Sequence, residues 1–290
     1  VKAGFSLLLW TTEVTQAHHG ILRDLARAGY DGAEIPITGS GVADCAALGR
    51  VMADIGLAAT ASGMVTDAAA NPMSLDPSVA QAGVDHLRRL VDRAVALGAE
   101  VLIGPFFQPL GTFSGTGPTD AEWAALVRAH RAMADHAGDA LRLAVEPLNR
   151  FECYGLTTAA QAARLVAEVG HSLYGSLYDT FHANIEERDP VGAITASAGA
   201  LGYVHVSEND RGTPGRGHID FAAVFAALAA VGYDGWITVE AFGQALPDLA
   251  AATRVWRPLF GSEAEVYTEG LALIRQGWAA ATTGRADNAG

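Results

Sequence analysis

Eight times along this chain a short apolar run is followed by a segment long enough for a helix, and glycine recurs as the stop signal. The runs occupy 4–9, 30–37, 57–65, 100–107, 141–146, 172–180, 201–208 and 235–242. Most are continuously apolar rather than alternating, which marks strands buried on both faces, as in parallel sheets. The segments between them predict helices over 14–27, 42–55, 77–97, 120–136, 158–169, 190–198 and 221–230, with a last pair over 246–281. Asp76 before Pro77, Thr157 or Thr158, and Asp220 are the expected N-caps, and Asp120 is expected to open its helix. Gly29, Gly56, Gly98, Gly170 and Gly232 are the expected stops. Eight βα units within 290 residues predict a single (β/α)8 TIM barrel over 1–281, with 282–290 as a disordered tail. An open doubly wound sheet is the alternative; no Gly-rich phosphate turn follows the first strand to support it.

Half of the residues are apolar, enough for a large core. Acidic residues outnumber basic ones 32 to 19, and no basic cluster interrupts the net charge of −13. Nucleic acid is therefore not an expected partner. Two cysteines, Cys45 and Cys153, are too few for a disulfide framework and are expected as small buried residues. Neither a basic-then-apolar leader nor an apolar run of membrane length is visible, so no membrane association is expected and the cytoplasm is the expected location.

In a barrel of this kind, chemistry collects at the C-terminal ends of the strands. Read only there, the fifth strand offers Glu146, the sixth Asp179, the seventh His205 and the eighth Glu240. Each follows the last by about one βα unit, and consecutive strands are neighbours, so the four side chains can converge. A carboxylate ending a buried strand is costly without a compensating charge, and a metal ion is the strongest such partner. Three carboxylates suit a hard divalent ion, while one imidazole tilts the choice from Mg²⁺ toward Mn²⁺, Co²⁺ or Zn²⁺. Glu34, ending the second strand, is expected beside these four rather than among them. Other histidines, such as His18, His19, His130 and His136, are expected on helices or their edges, at the surface. Two long loops, 66–75 and 108–119, are candidates for shaping a site.

Four motifs, EPLNRFE (146–152), YDTFHANIEE (178–187), YVHVSENDRG (203–212) and ITVEAF (237–242), resemble those of the ketose 3-epimerase family. That family includes D-tagatose, D-allulose and L-ribulose 3-epimerases and lies in the sugar isomerase superfamily of metal-dependent barrels. The resemblance implies that Glu146, Asp179, His205 and Glu240 ligate one divalent ion per subunit. Mn²⁺ is the expected ion, with Mg²⁺ or Co²⁺ as alternatives. It further implies that Glu146 and Glu240 exchange protons with a free ketose, that Glu152, His182 and Arg211 bind its carbonyl end, and that Trp10, Phe5 and Trp123 supply apolar contacts. A homodimer or homotetramer is the implied assembly. Asp210 departs from the pattern, because many relatives carry histidine beside the arginine.

A hydrogen next to a ketone is weakly acidic, and its removal leaves an enediolate whose charge needs stabilising. Reprotonation from the other face then needs a second group, so two carboxylates three strands apart suit an epimerisation. Hydroxypyruvate isomerase and inosose dehydratase reuse the same tetrad and are the alternative readings. An endonuclease IV-type nuclease would need several metals, more histidine ligands and a basic groove.

Overall fold

The computed structural model describes residues 1–286 of the chain. Its eight strands are β1 (Lys2–Ser6), β2 (Gly32–Pro36), β3 (Ala58–Ser62), β4 (Val101–Gly104), β5 (Arg142–Val145), β6 (Tyr174–Asp179), β7 (Leu201–Val206) and β8 (Trp236–Val239). They pair in sequence order, and β8 pairs with β1 to close a parallel barrel. The helices are α1 (His19–Ala28), α2 (Val42–Ile55), α3 (Pro77–Leu97), α4 (Asp120–Ala137), α5 (Ala159–Val169), α6 (Thr180–Glu186), α7 (Pro190–Ala196), α8 (Phe221–Ala230), α9 (Pro247–Thr253) and α10 (Glu263–Ala286). The (β/α)8 barrel expected from the repeat is thus the observed fold.

Strand parity divides the core in two. Side chains alternate across a strand, so every second residue faces the barrel axis. Val101, Ile103, Ala144, Leu177, Tyr203 and Trp236 form the axial cluster. Their neighbours Leu102, Leu143, Val145, Val204 and Ile237 belong to the larger cluster between sheet and helices. Trp236 fills the N-terminal end of the axis, where a Cβ on Gly32 would lie 2.4 Å from its ring. Its indole N–H donates to Glu100 at 3.0 Å. One layer up, the Tyr203 hydroxyl bridges Thr60 at 2.9 Å and Thr238 at 2.7 Å, so this phenol is satisfied inside the barrel.

Several local expectations are corrected. The first strand ends at Ser6, and Leu7–Leu9 form a 3₁₀ turn. Helix α4 does open at Asp120, as expected, and Thr119 caps it in a reciprocal capping box with Glu122. Thr158, rather than Thr157, caps α5. Helix α6 follows β6 without a loop, capped by Asp179, where the sequence predicts no helix. Helix α10 continues to Ala286, so the start of the expected disordered tail is helical; residues 287–290 lie outside the described residues. His130 is fully buried, because it lies on the inner face of α4 against Tyr174, whose hydroxyl contacts its Nδ1. Burial pushes its ring down to about 3.

Gly104 ends β4 at φ +135°, and a Cβ there would lie 2.1 Å from the Gly63 carbonyl oxygen. Neither the dihedral nor the close approach admits a side chain. Gly104→Ala is therefore expected to destabilise the fold by roughly 2 kcal/mol in denaturant unfolding. A variant as stable as the wild type would contradict this backbone packing.

Candidate active site

Parity also aims the functional side chains. Glu146 shares the face of Ala144, Asp179 that of Leu177, His205 that of Tyr203, and Glu240 that of Trp236 and Thr238. All four therefore point to the axis at its C-terminal end. Each is buried, and one ligand atom from each lies within 4.8 Å of the others. The sheet carries them there directly: the amides of Glu146 and Glu240 bond the carbonyls of Gly104 and Val206 at 3.0 and 3.1 Å.

The donor atoms are pre-aimed. His205 Nε2 lies 2.8 Å from Glu34 Oε2, which leaves Nδ1 as the free ring nitrogen. That Nδ1 is 3.5 Å from Asp179 Oδ2, 3.6 Å from Glu146 Oε1 and 3.7 Å from Glu240 Oε1. Asp179 uses its other oxygen, Oδ1, to accept the His182 amide at the start of α6. Asp179 Oδ2 and His205 Nδ1 are buried and have no hydrogen-bond partner among the described residues. Buried polar atoms are rarely left so, and a divalent cation at the centre would satisfy both. The four residues thus fit one metal ion. Glu34 holds the ring by its far nitrogen, the usual arrangement for a metal-binding histidine.

Electrostatics favours the same occupant. Burial pushes Glu240 well above the usual carboxylate range; Glu146 and Asp179 add to this, against the opposing pull of His205 and Arg211. For His205, burial works downward, but the carboxylates of Glu34 and Glu240 outweigh it and leave the imidazole well above its usual value. Without a cation, the cluster therefore retains protons.

A cavity of about 260 Å³ opens above the tetrad. Glu34, Glu146, Glu152, His182, Arg211 and Glu240 supply much of its polar lining, and Leu8, Met64, Leu110, Phe151, Phe242 and Leu249 much of its apolar wall. A wider depression of about 760 Å³ lies at the opposite end of the barrel, around Lys2, Glu100 and Trp236, and none of the tetrad reaches it.

The segment after β5 organises one side of this cavity. The Asn149 amide donates to His182 Nδ1 at 3.0 Å, so the neutral ring carries its proton on Nε2. That Nε2 lies 3.8 Å from Glu146 Oε1 and lines the cavity. Glu152 Oε1 accepts from Asn149 Nδ2 at 2.8 Å and from Arg211 Nη2 at 2.6 Å. Burial would raise the Glu152 carboxyl, but Arg211 and His182 outweigh it and hold it below the usual range. Arg150, the obvious partner in sequence, instead pairs with Glu186.

Arg211 is stacked between Phe181 and Phe242, its guanidinium carbon 4.0 and 4.7 Å from the two ring centroids. Its Nη1 lies 3.7 Å from Glu240 Oε2, on the side of that carboxylate turned away from His205. The backbone of Arg211 adopts φ 65°, a conformation that a non-glycine residue holds only when its surroundings impose it. Glu208 imposes it. Its buried carboxylate accepts from the amides of Asn209, Gly215 and Ile219, at 3.0, 2.8 and 3.2 Å, and so curls the loop. Glu208 and Gln108, whose Oε1 accepts from Tyr154 and Gly155, are functional supports that strand-end reading missed. The signal available for Glu208 was a carboxylate in an apolar run followed by three nearby glycines. Asp210 accepts the Gly212 amide at 2.9 Å and lies 3.4 Å from Arg257, tying this loop to the chain after α9.

The three expected apolar contacts are not at the cavity. Phe5 has the opposite parity to Gly4 and Ser6 and packs outward against Trp10, Tyr30 and Tyr267. Trp10 joins that outer cluster, and Trp123 lies on α4, its indole donating to Glu168 and its ring under Arg164. Leu8, Phe242 and Phe151 line the cavity instead.

Comparison with known proteins now fixes the family. The xylose isomerase-like TIM barrel family matches residues 22–276. The ketose 3-epimerase of Arthrobacter globiformis is 33% identical over 279 residues, covering 95% of this chain and 96% of its own. The chain belongs to the ketose 3-epimerase family. An L-ribulose 3-epimerase structure superposes with a TM-score of 0.91 at 30% identity, covering 100% of this chain and 98% of the other. The D-allulose 3-epimerase of Methylomonas sp., solved in complex with D-allulose, gives 0.88 at 31% identity, with 95% and 96% covered.

Proton retention by the tetrad has a measurable consequence. Glu240 and His205 both bind protons more tightly folded than unfolded, so the stability they contribute is present at low pH and lost as pH rises through their raised values. A divalent ion competes with those protons, and its stabilising effect grows with pH. At a free concentration 100 times its Kd the ion adds about 2.7 kcal/mol. Mn²⁺ is thus expected to raise the melting temperature more at about pH 8 than at about pH 5.5, and Asp179→Ala to abolish the gain. Equal midpoints with and without Mn²⁺ at both pH values would contradict a metal site here.

Proposed function

We propose that this chain is an isomerase that inverts carbon 3 of a free ketose, with Mn²⁺ as its ion. The observation that carries the reading is the meeting, in one buried cavity, of two carboxylates from strands three apart with a ligand set for a single cation. The relatives described above bear 3-epimerase names, so the hydroxypyruvate isomerase and inosose dehydratase readings are not favoured. Three carboxylates and one imidazole support Mn²⁺ over Mg²⁺.

A cation bound by the tetrad would supply Lewis-acid stabilisation of the negative charge that develops as the carbon-3 proton leaves. The chain's own residues do the rest. Glu146 and Glu240 flank the sugar; one removes the proton and the other returns one to the opposite face, and their roles reverse with direction. Each presents Oε1 to the cluster, and Glu240 keeps Oε2 on the Arg211 side, so ligation and proton transfer use different oxygens of that carboxylate. His182 donates from Nε2 to a substrate oxygen. Glu152 and Arg211, fixed to one another, hold hydroxyls at the carbonyl end. Assembly as a homodimer or homotetramer belongs to the same reading, supported by the exposed Phe151 and Trp256. No helix among the described residues is long and apolar enough to cross a membrane, which is compatible with the proposed cytoplasmic location.

The test is isotopic. Metal-loaded protein incubated in D₂O with D-tagatose, D-fructose, D-allulose or L-ribulose is expected to place deuterium at carbon 3 of the epimer. Absence of exchange with every ketose, metal being bound, would sink the reading. Glu240→Gln should lower kcat by about 10²–10⁴-fold while some metal remains bound. An unimpaired variant would remove Glu240 from the chemistry.

A further inference from the structure

Opposite the β5–β7 side, which the proposed carbonyl-end contacts occupy, the cavity wall is built from the ends of β2 and β3. Here Glu34 and Ser62 are polar side chains set among Leu8, Gly63, Met64 and Ile103. Both face the axis: Glu34 lies between the outward Ala33 and Ile35, and Ser62 shares the parity of Thr60, which reaches the axial Tyr203. Both are almost wholly enclosed, with Glu34 0% and Ser62 4% exposed. Glu34 cannot turn freely, because its Oε2 is fixed by His205 Nε2 at 2.8 Å. Its other oxygen, Oε1, has no hydrogen-bond partner among the described residues, and neither has Ser62 Oγ. A buried polar atom without a partner is destabilising, so two of them on one wall of a ligand cavity mark a place where a ligand supplies the missing bonds.

We infer that Glu34 Oε1 and Ser62 Oγ form a hydroxyl subsite that reads the configuration of the substrate at carbon 4. This rests on the epimerase reading and extends it to the choice of sugar. A carboxylate oxygen only accepts, while a serine hydroxyl both donates and accepts. A sugar hydroxyl is the matching group, because it donates to Glu34 and accepts from Ser62. Carbon 4 is the first position beyond the reacting centre. Inverting it swings its hydroxyl to the other side of the sugar chain, away from the Glu34 carboxylate that the His205 bond holds in place. A site built to bond a hydroxyl discriminates strongly when that bond is lost, whereas an apolar wall does not.

D-Fructose and D-tagatose differ only at carbon 4, so they isolate the effect. The wild-type enzyme should prefer one of them. Ser62→Ala should lower kcat/KM for the preferred sugar by about tenfold, chiefly through KM, and leave the other nearly unchanged, so that the preference narrows. Metal content should stay at the wild-type level, since Ser62 is not a ligand. An equal loss on both sugars, an unchanged ratio, or a wild type indifferent to carbon 4 would overturn the subsite. So would a crystal structure with bound ketose in which a water, rather than a sugar hydroxyl, sits between Glu34 and Ser62. Inactivity of the wild type toward every ketose would overturn the epimerase reading itself, a result distinct from an active enzyme whose selectivity ignores Ser62.

Discussion

Three carboxylates and an imidazole share a space less than 5 Å across at the top of this barrel, all of them buried. In water such a cluster would be unremarkable, but inside a protein each unpaired charge carries a desolvation cost, and like charges repel more strongly. The fold meets this by anchoring two of the members from behind. Glu34 takes the far side of the His205 ring, and the cap of α6 takes one oxygen of Asp179. Around the rim, Arg211 neutralises Glu152 and approaches Glu240. Within the tetrad, the atoms left unsatisfied, Asp179 Oδ2 and His205 Nδ1, face one centre. The arrangement is preorganised for a cation, at the expense of stability when none is present.

Everything else in the site follows from keeping that cluster in place while admitting a sugar. The guanidinium of Arg211 must sit deep in the cavity, and it is held there by two aromatic faces and by a loop that Glu208 winds through three main-chain amides. Arginine rather than lysine suits this position, since only a planar cation can stack between Phe181 and Phe242 while bonding a carboxylate at its edge. Asp210, where many relatives have histidine, does not reach the cavity; it fastens the same loop to Arg257. The departure therefore bears on how firmly the loop is anchored.

Much of this is legible in the amino-acid sequence. The eightfold repeat carried the barrel, and strand ends carried the tetrad, because both are consequences of local periodicity. Parity explains both a success and a failure. Glu146, two residues past Ala144, necessarily faces the axis, and by the same rule Phe5 necessarily faces the helices once Gly4 and Ser6 face in. The resemblance placed Phe5 in the cavity; the alternation along GFS argued against it. The rest required tertiary information. His130 is buried by what α4 packs against, and Glu208 is functional through amides up to eleven residues away. Neither partner leaves a mark in the local pattern. Helix α6 was lost because YDTFH reads as a strand running on, until Asp179 is seen to cap it.

The central claim is that one cation is held by Glu146, Asp179, Glu240 and the Nδ1 of His205. Anomalous diffraction from crystals soaked in Mn²⁺ tests it most directly. The account predicts a single strong peak within bonding distance, about 2.0–2.3 Å, of those four side chains, with His205 Nε2 still on Glu34. A peak bonded to Nε2, two peaks in the cavity, or none at saturating Mn²⁺ would contradict it.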